Sequence, residues 1–166
     1  DSSNCASACE GTSNRASALY STVSGGTLNQ ASESSATIGG GNANQASGGN
    51  STVAGGNGNV ASATYSSVGG GRENEASGAH ATVAGGHDNT ASGAESMSPG
   101  GGGNRAEGAF SLAAGRQAVA SHNGSFVWAD GQALDFASQA ENDFSVRATG
   151  GVHLVTGVDA AGNRTA

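Results

Sequence analysis

The sequence is dominated by a tandem repeat of fifteen residues, which runs without insertion through seven units from residue 14 to residue 118. Each unit begins with an asparagine followed two positions later by an alanine, and the asparagines are Asn14, Asn29, Asn44, Asn59, Asn74, Asn89 and Asn104. An aliphatic residue precedes a glycine pair in five units, at Val23, Ile38, Val53, Val68 and Val83. A fixed short period favours an architecture in which every repeat adds one layer to a stack.

The length of the unit decides which kind of stack forms. Helical repeats need about 33 to 47 residues, so fifteen is too short for them. It fits one coil of a β-solenoid with two short strands and two turns, in which the glycine pair closes a turn where positive φ is needed. Alternation along a strand points the valine and the small residue before the threonine inward, and the threonine outward. The sequence therefore predicts an all-β, parallel β-solenoid (β-roll) with 15-residue coils, whose asparagines form a ladder from coil to coil.

Composition excludes several other classes of protein. Glycine supplies 30 of 166 residues and aromatic residues only 4%, which is unlike the core of an ordinary enzyme domain. There is one proline and no glycine at every third position, so the chain is not collagen. The net charge is −7, and the basic residues are dispersed arginines, so we expect no nucleic-acid partner. No apolar run approaches the length of about 20 residues that a membrane span needs.

Catalytic and cofactor motifs are absent from the sequence. It contains neither a G-x-S-x-G nucleophile elbow nor the G-K-[ST] step of a phosphate-binding loop. His80 and His87 fall at different points of one coil with Asp88 adjacent, a spacing that favours solvated loop histidines over a metal site. We therefore expect no enzymatic activity, no metal and no cofactor.

A thin core predicts association between chains. Each coil offers about one valine and one alanine, worth about 3 kcal/mol of burial, whereas ordering fifteen backbones costs about 15 kcal/mol or more. Packing several chains around a common axis would bury the valine and alanine columns further. We therefore expect a homo-oligomer, and a closed three-fold assembly is its natural form.

The A-S-G-x-x-S-T-V-x-G-G units, such as residues 46–56, resemble the β-roll head repeats of trimeric autotransporter adhesins, which are bacterial surface fibres of three identical chains. The resemblance covers residues 14–118 and extends to residue 148. It implies a left-handed, homotrimeric roll outside the cell, on the bacterial surface. The chain departs from that family in its unit, since those heads often repeat every 14 residues and this chain repeats every fifteen. Similar repeats also occur in phage tail-fibre-like proteins.

The two ends of the chain differ from the repeat. Residues 1–13 are expected to form a partial coil with a cysteine pair, in which Cys5 and Cys9 are free thiols, a local staple across a turn, or an interchain disulfide. Residues 119–166 are expected to form an aromatic-rich β cap and a connector, with strands over residues 125–128, 144–147 and 152–155. The spacing of Phe126 and Trp128 places both rings on one face, which suits a cap and alternatively a sugar-binding platform.

These features together predict a structural and adhesive segment of an extracellular fibre, a stiff trimeric rod that presents a repetitive surface to a receptor the sequence does not identify. Three alternatives stay open. One is a phage or injection-machine tail fibre, and the second is a self-assembling filament subunit with end-to-end contacts. The third is an ice-binding β-solenoid, which the hydroxyl column of Thr22, Thr37, Thr52, Ser67 and Thr82 suggests.

Overall fold

The computed structural model describes residues 7–8 and 11–153, and these form a parallel β-solenoid of about nine stacked coils. Each coil contributes one short strand to each of two sheets, and neighbouring strands within a sheet run parallel. No helix occurs among the described residues, and none of their segments is therefore a helix able to cross a membrane. The predicted fold class, an all-β parallel solenoid with coils of about fifteen residues, is confirmed.

The front sheet has eleven strands, and ten of them follow one another along the solenoid axis. In that order they are β1 (Ser7–Ala8), β3 (Thr22–Val23), β5 (Thr37–Ile38), β7 (Thr52–Val53), β9 (Ser67–Val68), β11 (Thr82–Val83), β13 (Met97–Ser98), β16 (Leu112–Arg116), β18 (Phe126–Ala129) and β20 (Phe144–Arg147). The eleventh strand, β14 (Gly101–Gly102), pairs with β16 beside this row.

The back sheet has nine strands, stacked in the same direction. In chain order they are β2 (Arg15–Ala16), β4 (Gln30–Ala31), β6 (Gln45–Ala46), β8 (Val60–Ala61), β10 (Glu75–Ala76), β12 (Thr90–Ala91), β15 (Arg105–Ala106), β17 (Ala118–Ala120) and β19 (Phe136–Ala137). A third line of parallel bridges joins the coils at Thr12, Thr27, Asn42, Asn57, Arg72, His87 and Gly102.

The hydrophobic core lies between the two sheets and is built from small side chains. The front sheet supplies the column of Val23, Ile38, Val53, Val68 and Val83, and the back sheet supplies the facing alanines. As the alternation predicts, the residue before each threonine also points inward, so Ala36 and Ser51 are buried while the threonine between core positions lies outside.

This core is complete within one chain, which corrects the argument for association from a thin core. Val53 and Ala61, which represent the two facing columns, are both 0% exposed in the isolated chain. The reason is geometric, because small inward side chains (alanine, serine and valine, with Ile38 the largest) fill the space between the two sheets. From Val23 and Ala31 through Val83 and Ala91, the valine and alanine columns therefore have no exposed area left for a partner to bury.

The turns depend on left-handed backbone in non-glycine residues as well as in glycine. Tyr65 has φ of 59° and Phe110 has φ of 57°, although large side chains rarely adopt this region. The Tyr65 amide donates to the carbonyl of Gly49 in the preceding coil at 2.9 Å, and the Phe110 amide donates to Ala94 at 2.9 Å. Because each such turn is bonded to the coil before it, the stack offsets the local strain of about 1 to 2 kcal/mol.

The seventh coil is one residue shorter than the six before it. Asn89 receives a bond from Asn104, fifteen residues later, whereas Asn104 receives one from Ala118, fourteen residues later. Earlier units place a glycine pair between the core valine and the next asparagine, and the seventh unit has the single Gly115 there. Gly115 pairs with Gly101, so the residue that is lost is the first of the pair. The fifteen-residue unit seen in the sequence up to residue 118 thus becomes a 14-residue coil in its last turn.

The segment from residue 119 onward extends both sheets. The strands expected near Phe126 and Phe144 are confirmed as β18 and β20, which pair through Phe126↔Phe144 after a longer coil. Val127 and Ala129 continue the buried core. Val152 and His153, where a third strand was expected to begin, lie in no strand, and the rest of that stretch lies outside the described residues.

Candidate interaction surface

Six of the seven asparagines of the repeat, from Asn29 to Asn104, lie inside the solenoid and form a continuous hydrogen-bonded ladder, which the half-buried Asn14 begins. Asn59 is 0% exposed, and its Nδ2 donates to Gly55 and Gly71 carbonyls, both at 2.9 Å, and to Asn44 Oδ1 at 3.2 Å. Its Oδ1 accepts the amide of Asn74 at 3.0 Å. The two bonds from Nδ2 to glycine carbonyls recur at each asparagine from Asn29 to Asn104. These side chains are therefore structural, and they are unavailable to a ligand because they are buried.

The outer face of the front sheet begins as a single row of hydroxyls. Thr22, Thr37, Thr52, Ser67 and Thr82 pair in register through the first coils. The neighbouring outward column consists of small residues, namely Ser24, Gly39, Ala54, Gly69 and Ala84, and all of them are exposed. The face thus carries one row of hydroxyls in these coils and lacks the paired hydroxyl rows that typify an ice-matching surface.

The same face becomes apolar in its last coils. The hydroxyl column continues in register as Met97, Leu112, Phe126 and Phe144, and Trp128 and Val146 pair in the neighbouring column. We call these six residues the apolar patch. Phe144 is 70% exposed and Trp128 is 38% exposed, and the rings of Phe126 and Phe144 stack with centroids 5.0 Å apart. Met97, Trp128 and Phe144 are exposed and the other three residues are half-buried, which makes the apolar patch a candidate interaction site.

A second exposed row follows one line of left-handed turns. Its members are Tyr20, Ser35, Asn50, Tyr65, His80, Glu95 and Phe110. Tyr65 stacks on His80 with centroids 5.0 Å apart and an interplanar angle of 14°. We call these seven residues the turn ridge. The sequence did not predict it, because large side chains rarely adopt the positive φ that these turns require. The signal that was available is Gly124, which occupies the equivalent turn in a later coil.

The titratable residues singled out in the sequence do not converge. His80 lies on the turn ridge against Tyr65, whereas His87 lies on the third line of bridges with its Nδ1 3.0 Å from Asp88 Oδ2. Among residues 7–8 and 11–153, no three histidine, cysteine or acidic side chains are grouped as a metal site would need. Cys5 and Cys9 lie outside the described residues.

An ion pair between Asp130 and Arg147 ties the last two coils together. Arg147 Nε donates to Asp130 Oδ1 at 3.0 Å, and both side chains are largely buried. The backbone amide and hydroxyl of Thr149 donate to the other carboxylate oxygen at 2.9 and 2.7 Å. The bonds from Thr149, together with Arg147, hold the pKa of Asp130 well below its ordinary value.

This lowered pKa predicts an acid-dependent loss of stability in the last coils. The ionised Asp130 stabilises the fold above the ordinary carboxyl pKa of about 3.9, and that contribution is lost as pH falls toward the lower folded value. Asp130→Asn should therefore lower the Tm at pH 7, and the difference from wild type should shrink between about pH 4 and pH 2. Thermal unfolding followed by circular dichroism measures this. Asp135→Asn, which removes a more exposed partner of Arg105, is the control with the smaller effect.

The comparisons with known proteins assign no family to this chain, because no family model and no curated protein matches its sequence. Its function must therefore be inferred from the surfaces that the fold presents. These are the apolar patch, the turn ridge, and the hydroxyl-bearing outer face of the front sheet in the coils that precede the patch.

Proposed function

We propose that this chain is a structural and adhesive segment of an extracellular bacterial surface fibre, in which three identical left-handed rolls form a stiff rod. The observation that carries this proposal is the apolar patch, in which Phe144 and Trp128 are exposed on an otherwise hydroxyl-bearing face. Exposed apolar area of this kind is costly on a free rod and stabilises an assembly that covers it.

A second copy of the chain is the partner that fits this face. In a closed assembly of parallel rods, equivalent coils lie at the same height, so the apolar patch of one chain meets that of its neighbours. The small exposed residues in the outer column, such as Gly39 and Gly69, allow close approach along the remaining coils. Association would therefore bury the front sheet and leave the turn ridge outward.

The turn ridge is the surface that such a rod would present. Tyr20, Tyr65 and Phe110 are each more than half exposed and recur along the axis at intervals of whole coils. Each contact made by one turn ridge is weak, but three parallel ridges allow many such contacts with one receptor-bearing surface. Linked weak sites can raise overall avidity by about 10² to 10⁴ without any new contact. The mechanism is geometric, and stiffness comes from the buried asparagine ladder.

Replacing the apolar patch should separate the chains. The double change Trp128→Ser with Phe144→Ser should convert a trimer into a monomer at micromolar concentration, measured by sedimentation velocity. Tyr65→Ser with Tyr20→Ser is the matched control, since it removes exposed aromatics from the ridge and should leave the trimer intact.

The same samples test adhesion. Beads coated with wild type should be retained on bacterial or host cell layers, and beads coated with the monomeric variant should lose retention at equal protein density. The ridge variant should lose retention while it stays trimeric. Equal retention by all three proteins would contradict the adhesive role.

A further inference from the structure

A notch opens in the side of the solenoid where two outward columns of side chains are interrupted by Gly102 and Gly103. It measures about 240 Å³ and is lined by His87, Asp88, Gly102, Gly103, Arg116 and Gln117. Along the third line of bridges His87 pairs with Gly102, which in turn pairs with Arg116. Gly102 and Gly103 contribute no side chains to the two outward columns in this coil. The His87 ring covers Gly102, and the notch lies between that ring and Arg116.

Gly102 serves the notch and is not required by the backbone. Its φ lies outside the left-handed region, unlike that of neighbouring Gly101 and Gly103. A Cβ at Gly102 would lie 2.5 Å from His87 Cε1 and 2.8 Å from His87 Nε2. The imidazole therefore occupies the space beside Gly102 that a side chain would need, and it forms one wall of the notch. Any larger residue at position 102 would displace the ring.

The polar groups that line the notch are held in place by protein contacts. His87 Nδ1 lies 3.0 Å from Asp88 Oδ2, and Arg72 lies 3.6 Å from the same oxygen. Hydrogen bonding from His87, together with the charge of Arg72, lowers the pKa of Asp88, so this carboxylate is ionised. In the neutral ring Nδ1 then carries the proton, and Nε2 is an acceptor.

Arg116 supplies the opposite chemistry on the other side. Its Nη1 donates to the Gly131 carbonyl at 3.1 Å, which fixes the guanidinium at the rim. Within residues 7–8 and 11–153 no acidic side chain forms an ion pair with Arg116. The notch thus combines one uncompensated cation with two acceptors, Asp88 and His87 Nε2. Gln117 adds an amide whose buried Oε1 receives no hydrogen bond.

We propose that this notch binds an acidic monosaccharide unit, with its carboxylate on Arg116 and its hydroxyls on Asp88 and His87. Guanidinium and carboxylate form charge-assisted, bidentate hydrogen bonds, so Arg116, which has no acidic partner among the described residues, selects an anionic group. The ionised Asp88 repels a second anion and accepts hydroxyl protons, which requires a ligand with its charge at one end. The site does not depend on the proposed assembly of three chains.

Titration of the full chain with glucuronate, glucose and acetate, followed by amide resonances in NMR spectra, tests this site. Glucuronate should shift the resonances of Gly102, Gly103 and Gln117 to saturation, and glucose and acetate should bind at least tenfold more weakly. Arg116→Gln should raise the Kd for glucuronate at least tenfold, whereas Arg15→Gln, with the same loss of charge at an exposed arginine elsewhere, should leave it unchanged.

Four results would overturn the proposal. Glucose binding as tightly as glucuronate would show that the carboxylate is not recognised, and acetate binding equally tightly would show that the hydroxyls are not. A glucuronate response that is absent, or that survives Arg116→Gln, would show that the notch is not the site. Arg116 is exposed and its loss opens no core, so we expect Arg116→Gln to fold. The dispersion of the variant's NMR spectrum checks this.

Discussion

Gly86→Ala should lower the free energy of unfolding by about 3 kcal/mol or more, a large part of the stability of a domain of this size. Gly86 has φ of +87°, and a Cβ there would lie 2.2 Å from the carbonyl oxygen of Gly101 in the next coil. The adjacent coil cannot withdraw, because Gly101 and Asn89 are bonded to each other at this point. Chemical denaturation followed by circular dichroism gives the free energy of unfolding.

The residue immediately before it provides the matched control for that experiment. Gly85 has no atom within 4 Å of the position a Cβ would occupy, and its φ is outside the left-handed region. Gly85→Ala should therefore change stability by less than about 1 kcal/mol, with a small gain if the loss of unfolded-state entropy dominates. Equal effects of the two substitutions would mean that the coils do not stack as closely as described.

Asn59→Asp should cost about 3 to 5 kcal/mol, since it is nearly isosteric and yet removes the donor at the centre of the ladder. An oxygen would replace the Nδ2 that now donates to Gly55 and Gly71 carbonyls at 2.9 Å. The introduced carboxyl would face two carbonyl oxygens away from water, which raises its pKa. The loss should therefore be relieved below about pH 4, where the carboxyl is protonated in both states.

Asn57→Asp makes the same chemical change two residues away and serves as its control. Asn57 is exposed and donates to Asn42 Oδ1 at 3.0 Å on the surface. Its replacement should cost less than about 1 kcal/mol and show little of the acid recovery. Chemical denaturation at pH 7 and pH 3.5 gives the free energy of unfolding of the two variants. Similar losses of that free energy at both sites would contradict a buried asparagine ladder that stabilises the stack.

The period and the residue types of the repeat were sufficient to predict the stack. A fifteen-residue unit admits two short strands, and alternation around Thr52 and Val53 fixes which side chain faces the core. The distance between the sheets was not accessible in the same way. From the sequence, one valine and one alanine per coil are too few to form a core in a single chain. In the structure the two sheets enclose these side chains completely, and Val53 is fully buried.

Other features depend on register between distant residues. The notch requires His87, Gly102 and Arg116 to fall on one line, and that alignment exists only because the seventh coil is one residue short. In an unbroken fifteen-residue frame Gly102 would face Gln117 instead of Arg116. The left-handed turns at Tyr65 and Phe110 could not be predicted for a different reason. Hydrogen bonds from their amides to carbonyls of the preceding coil override the local propensity of these residues.

The mass of the purified wild-type chain in solution tests the central claim most directly. Multi-angle light scattering after size exclusion at micromolar concentration should give three times the mass of one chain, and the value should persist on dilution if the apolar patch is buried between copies. A mass of one chain throughout that range, with the solenoid intact by circular dichroism, would contradict the assembly of three rolls into a fibre.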